Sequence, residues 1–237
     1  MAKSEPTSGP TPEKPGTSTR RIRVPLTGTL NALEGDLEIP AGARGIVAFA
    51  HGSGSSRLSP RNRFVADELR AGNLGTLLID LLTQEEDAID VRTRRPRFDI
   101  ELLSNRMVTV VDWFARDEDT AAIPIGLFGA STGAAAALVA AARRSVEVGA
   151  VVSRGGRPDL AGGALADVRA PTLLIVGGRD TEVIERNREA LAQMSTESRL
   201  VIVPGATHLF EEPGTLEEVA RLAREWFVDH LSISARP

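Results

Sequence analysis

Few residues in this chain of 237 could carry covalent or acid–base chemistry. Cysteine and tyrosine are absent. That excludes thiolate nucleophiles, disulfides, Cys-ligated metals and phenolic acid–base catalysis. Lysine occurs only at Lys3 and Lys14, so Schiff-base and P-loop lysines drop out as well. Histidine occurs three times, at His51, His208 and His230, and no His pair has ligand spacing. No metal and no cofactor is expected. What remains is Ser131, set in Gly129-Ala130-Ser131-Thr132-Gly133 between an apolar run (Ile123 to Phe128) and an Ala-rich run (Thr132 to Arg144). A Gly-x-Ser-x-Gly sequence at a strand-to-helix junction is a nucleophile elbow: small neighbours let the turn close and leave the serine hydroxyl exposed. The following helix also points its positive end at an anion forming there.

A serine hydroxyl is a weak nucleophile until a base takes its proton, and imidazole titrates near neutral pH. A carboxylate then fixes the imidazole tautomer and stabilises its cation. Asp180 follows the apolar run Pro171 to Val176 in Gly177-Gly178-Arg179-Asp180, and His208 follows Arg199 to Val203. Ser131, Asp180 and His208 thus sit after three strands, and such loops converge at one sheet edge. Asp159 and Asp80 are competing acids. Taken singly, Asp180 reads equally as a helix N-cap and His208 as a helix-entry residue. His230, near the end of the last helix, suits the helix dipole and is not assigned to catalysis.

The Gly-rich stretch His51-Gly52-Ser53-Gly54-Ser55-Ser56 follows the buried run Gly45 to Ala50. The backbone N–H groups of Ser53 and Thr132 are assigned to an oxyanion hole. The alternative for this loop is a phosphate-binding or purely structural turn. His51 reads as a brace for the loop; with Gly52 and Arg154 it is placed on the substrate side of the site. Arg154 and Arg157 follow one strand, and Arg57, Arg61 and Arg63 follow the oxyanion loop. One of them, Arg154 foremost, is expected to pair with a carboxylate of the substrate or its leaving group.

These residues need a scaffold that brings strand ends together. Residues 1 to about 20 are rich in Pro, Ser, Thr and Gly and read as a tail, with a single domain over 21–237. Arg21 to Leu26 and Leu30 to Ile39 predict an antiparallel edge. Further strands are predicted over Gly45 to Ala50, Gly75 to Leu82, Val146 to Ser153, Pro171 to Val176 and Arg199 to Val203. Helices are predicted over Pro60 to Ala71, Ile100 to Phe114, Val183 to Met194 and Thr215 to His230. Thr83 to Asp99, charged throughout, reads as a solvated loop that could border the site. The alternation predicts an α/β fold, a mostly parallel sheet of about eight strands with helices on both faces.

On these stretches the chain resembles an α/β-hydrolase-fold protein of the dienelactone-hydrolase-like group. The resemblance rests on His51-Gly52-Ser53-Gly54, Gly129 to Gly133, Gly178-Arg179-Asp180 and Gly205-Ala206-Thr207-His208, and covers about residues 22 to 231. Dienelactone hydrolases proper use a cysteine nucleophile, so the likeness is to a serine variant. Similar proteins also occur joined to phosphoribosyltransferase domains. The resemblance implies a serine hydrolase acting on a carboxylic ester, thioester or lactone. A non-catalytic binding module and a Ser-dependent acyltransferase or peptidase are the alternatives. A lid domain would be inserted between the strands ending at Ser153 and beginning at Pro171; the short segment there implies no lid and an open, shallow site for a small or accessible ester. The net charge of −4 and pI of about 5.5 give no reason to expect nucleic acid or an anionic membrane as partner. With neither a membrane-length apolar run nor a signal-peptide core, a cytoplasmic monomer or homodimer is expected.

Overall fold

The computed structural model describes residues 16–231. Eight strands form one sheet: β1 (Ser18–Pro25), β2 (Ala32–Ile39), β3 (Ile46–Ala50), β4 (Gly75–Ile79), β5 (Ile125–Ala130), β6 (Val148–Arg154), β7 (Thr172–Gly177) and β8 (Ser198–Val203), in spatial order β1-β2-β4-β3-β5-β6-β7-β8. β1 and β2 pair antiparallel with each other, and β2 with β4. All pairings from β4 to β8 are parallel. Strands β3, β4, β5 and β7 are buried along their whole length, as expected where helices cover both faces of a parallel sheet.

Six α-helices are described: α1 (Pro60–Ala71), α2 (Gln84–Thr93), α3 (Ile100–Phe114), α4 (Thr132–Arg143), α5 (Thr181–Leu191) and α6 (Thr215–His230). Helices α3 and α4 bury Leu103, Met107, Val110 and Leu138 against one face of the sheet. On the other face α1 and α6 enclose Val65, Leu69, Phe227 and the paired rings of Phe49 and Phe128, 4.8 Å apart. Residues 132–141 of α4 are all buried. Five of the first six positions after Gly133 are alanine or leucine, so the helix can press close to the sheet on every side.

Two expectations need correction. The first strand begins at Ser18, inside the stretch read as tail; residues 1–15 of that tail lie outside the described residues. Ser18 to Arg20 lack an apolar pattern, and their strand comes from pairing with β2 (Ser18 opposite Ile39). Arg20 anchors them, reaching Asp117 at 2.5 Å and lying over the Trp113 ring. The second concerns Thr83 to Asp99, which is no open loop but α2 followed by a 3₁₀ turn, Pro96–Phe98. Its signals are polar. Thr83 and Glu86 form a reciprocal capping box, and Asp90 is turned inward to Arg97. No apolar period runs through it to be read.

Gly133 sets how near α4 comes to β3. A Cβ there would stand 2.1 Å from the Ala50 carbonyl oxygen and 2.6 Å from that of His51. Both are backbone atoms with no freedom to move aside. Gly133→Ala should therefore cost about 3 kcal/mol or more, measured by urea unfolding. Gly163→Ala, where a Cβ meets nothing within 4 Å, should change stability by less than about 0.5 kcal/mol.

Candidate active site

At the end of β5 the chain turns through Ser131, whose backbone stands at φ 50°, ψ −122°. This is a left-handed conformation that costs a non-glycine residue of the order of 1–3 kcal/mol. Its neighbours leave no alternative route. A Cβ on Gly129 would stand 2.4 Å from Ala134 Cα, and one on Gly52 3.0 Å from Ser131 Cβ. Two strand-end contacts clamp the turn: the Ser131 N–H donates to Arg154 O (3.3 Å), and the Arg157 N–H donates to Ser131 O (3.0 Å). Ser131 occupies the N-cap position of α4 without capping it, so its hydroxyl is not spent on the helix.

Asp180 and His208 stand on the loops after β7 and β8. His208 Nδ1 lies 2.6 Å from Asp180 Oδ2. Asp180 is the N-cap residue of α5, yet its side chain makes no capping bond; the carboxylate turns to the imidazole instead. The two loops are fastened together by the Arg179 N–H donating to Ala206 O (2.9 Å), and the Glu212 carboxylate accepts from Thr207 N (3.0 Å). Gly155, at φ +49°, lies under the imidazole, where a Cβ would come within 3.6 Å of His208 Cε1. The competing acids are engaged elsewhere. Asp159 accepts from Arg157 at 2.7 and 2.8 Å, and Asp80 accepts from the backbone N–H and guanidinium of Arg57. Ser131 and His208 line one cavity but share no hydrogen bond among the described residues; such bonds are often long until substrate arrives.

The loop 51–57 forms the other wall. Ser53 Oγ and Thr132 Oγ1 are 2.9 Å apart, which ties this loop to the first turn of α4. The backbone N–H groups of Ser53 and Thr132 donate to no acceptor among the described residues. Unspent amides of this kind are what an oxyanion needs. Sequence reasoning missed what braces them. The Asp90 carboxylate, 2% exposed, accepts from Arg97 N (2.9 Å) and Nε (2.5 Å). Ser53 Oγ reaches Arg97 O at 3.4 Å, and the Arg97 guanidinium packs on Gly54. The burial of one acid in a polar helix was the missing signal, and it does not show in periodicity. His51 accepts from the Leu81 N–H on Nε2 (3.2 Å) and donates from Nδ1 to Gly52 O (3.1 Å). Both ring nitrogens are used, and burial holds the imidazole below its ordinary pKa, hence neutral.

The cavity between these walls has a volume of about 1040 Å³. No domain separates β6 from β7, and α2 with the turn after it forms one wall of the cavity. Exposed Leu58, Val91 and Leu209 also line it. Arg57 is paired with Asp80, Glu34 and Asp36, Arg63 lies 3.8 Å from Asp36, and Arg61 reaches Glu211 at 3.4 Å. Arg154, Gly52 and His51 all line the cavity. Among the described residues no helix is long and apolar enough to cross a membrane.

Residues 43–221 match a family model described as an alpha/beta hydrolase domain. Two Mycobacterium tuberculosis proteins, each bearing the name Putative phosphoribosyl transferase, are 61% identical over 197 residues, or 83% of this chain. The chain spans 44% of the length of those relatives. The crystal structure of a dienelactone hydrolase from Anabaena variabilis superposes with a TM-score of 0.88 at 59% identity, covering 90% of this chain and 98% of that one. Est1E from Butyrivibrio proteoclasticus gives a TM-score of 0.73 at 17% identity, over 89% of this chain and 98% of that one, a likeness that bears on the fold alone.

The neutral, partly buried His51 sets a pH dependence. Unfolded, the imidazole takes up a proton near pH 6.5; folded, it resists protonation to lower pH, so stability is complete above that value and falls as pH drops below it. His51→Gln should be less stable than the parent by about 1 kcal/mol near pH 7.5, with the gap narrowing toward about pH 5. Urea unfolding across that range measures both.

Proposed function

The chain belongs to the alpha/beta hydrolase domain family, of the dienelactone-hydrolase-like kind, and on that footing we propose that it is a serine hydrolase. It cleaves a carboxylic ester, thioester or lactone of a small or accessible substrate through an acyl-enzyme on Ser131. The observation that carries this reading is the 2.6 Å contact of His208 with Asp180, made by an aspartate that leaves its own helix uncapped, at the cavity that also holds Ser131.

In this reading His208 Nε2 takes the proton of Ser131 Oγ as the oxygen attacks the carbonyl carbon. The negative charge that develops on the carbonyl oxygen is received by the N–H groups of Ser53 and Thr132 at the positive end of α4; one such donor is typically worth about 2.7–4 kcal/mol in the transition state. Asp180 holds the Nδ1–H tautomer and stabilises the imidazolium. The imidazolium returns its proton to the departing alkoxide or thiolate, and water, activated by the same imidazole, releases the acid and restores Ser131. The absence of a Ser131–His208 hydrogen bond favours a second reading, a binding module that keeps the fold without the chemistry. The transferase name of the longer relatives belongs to proteins of which this chain matches less than half, and the residues gathered here are suited to acyl chemistry.

A fluorophosphonate probe should label the wild-type serine and leave Ser131→Ala unlabelled. With p-nitrophenyl acetate or butyrate, Ser131→Ala and Asp180→Asn should each lower kcat by about ten-thousandfold at neutral pH. A wild type that neither labels nor turns over would favour the binding module.

A further inference from the structure

Arg154 closes β6 on the α1 and α6 face of the sheet, its guanidinium 5.9 Å above the Phe128 ring. It is 9% exposed and forms part of the cavity wall. Its Nη1 is buried without a partner, and among the described residues no carboxylate or carbonyl meets the guanidinium. The nearby charge that acts on it is that of Arg61, of the same sign; burial and Arg61 together lower the Arg154 pKa to about 10.

Other arginines of this sheet edge have the ordinary solution. Arg57 is paired with Asp80, Arg97 with Asp90 and Arg157 with Asp159. A buried, unpaired charge is among the most unfavourable arrangements a fold can hold, and an apolar side chain of similar volume would fill the space at lower cost. Packing therefore does not account for Arg154. A ligand carrying the missing negative charge does, since the planar guanidinium matches a carboxylate or phosphate in two-point contact.

We propose that Arg154, assisted by Arg61, is a specificity site for an anionic group, carboxylate or phosphate, on the ester cleaved at Ser131. This deepens the serine-hydrolase reading and rests on it for the ester chemistry; the anion site itself does not. Arg154 is paired in register with Ala130, the residue before Ser131. Neighbouring strands are about 4.8 Å apart, so a short chain joins the anion to the scissile carbonyl. Arg61 stands on the first turn of α1 and lines the same cavity, a second positive charge at the mouth whose half-exposed side chain is held loosely by Glu211 at 3.4 Å.

Two experiments separate the anion site from the hydrolase reading. In the first, glutarate and inorganic phosphate are titrated by calorimetry into full-length Ser131→Ala, which has no turnover. At least one should bind; Arg154→Gln added to that variant should weaken it tenfold or more, and Arg61→Gln threefold or more. The response to glutarate against phosphate tells which anion fits. No binding of either, or binding indifferent to Arg154→Gln, overturns the proposal. Because the change removes an uncompensated buried charge, Arg154→Gln should keep or raise Tm; a fall in Tm with no change in anion affinity assigns Arg154 to structure instead. In the second, the ratio of kcat/KM for mono-p-nitrophenyl glutarate to that for p-nitrophenyl butyrate should drop at least tenfold in Arg154→Gln. Ester turnover with an unchanged ratio and Arg154-independent binding sinks the anion site and leaves the hydrolase. Anion binding through Arg154 with no ester turnover does the reverse.

Discussion

The backbone of Ser131, held at φ 50° and ψ −122°, is the constraint from which the surrounding structure follows. So tight a turn leaves no volume beside it. Gly129 must be bare because α4 doubles back over it, Gly133 because β3 carbonyls press against it, and Gly52 because the serine itself occupies the space. The same crowding brings the loop after β3 and the end of β6 into contact with the elbow from opposite sides. On one side Ser53 Oγ meets Thr132 Oγ1; on the other, Arg154 O accepts from Ser131 N. An Ala-rich α4, buried throughout its first ten residues, supplies the packing that holds a strained residue of this kind in place.

Charge is handled differently on the two sides of the cavity. Toward β3 and β4, acids and arginines neutralise one another. Asp80 fixes both the backbone and the guanidinium of Arg57, and Asp90 fixes Arg97 beside the loop after β3. These pairs stiffen a Gly-rich loop whose own sequence offers no rigidity. Toward β6, β7 and β8 the pairing is incomplete. Asp180 is committed to His208, Asp159 to Arg157 and Arg186, and Arg154 is left over. Neutralised pairs thus line one side of the cavity and an unspent cation the other.

How much of this was legible in the sequence depends on which physical signal carried each part. Continuous apolar runs marked the buried strands β3, β4, β5 and β7, and the 3.6-residue period marked α3 and α6, because burial selects residue type directly. The juxtaposition of Asp180 with His208 could be read from topology, since both follow parallel strands that end at one edge. Asp180 could be preferred over Asp159 and Asp80 from its Gly-Gly-x-Asp loop after a buried strand; what needed coordinates is the arginine that engages each competitor. Helix α2 was hidden because it is held by a capping box and one inward acid, not by an apolar face. The start of β1 at Ser18 was hidden because its anchor, Asp117, lies 97 residues from Arg20. The burial of Arg154 could not be read either, since strand alternation places a side chain on a face without saying whether an acid waits there.

Ser131 and Arg154 share one property that separates them from their neighbours: folding alone accounts for neither. A left-handed serine and a buried cation without a partner are both held against their own preference, and both open on the same cavity. They are also coupled through the backbone, because the β5–β6 register that places Arg154 beside Ala130 is the one that lets Arg154 O receive the Ser131 N–H. At position 154 the carbonyl serves the elbow whatever side chain is present, while the guanidinium contributes nothing to the elbow and forms part of the cavity wall. A residue divided in this way can lose its charge without loosening the turn. Strained and uncompensated groups persist where the surrounding structure over-determines them, and here Ala-rich packing on one face and the Phe49–Phe128 pair on the other provide that surplus.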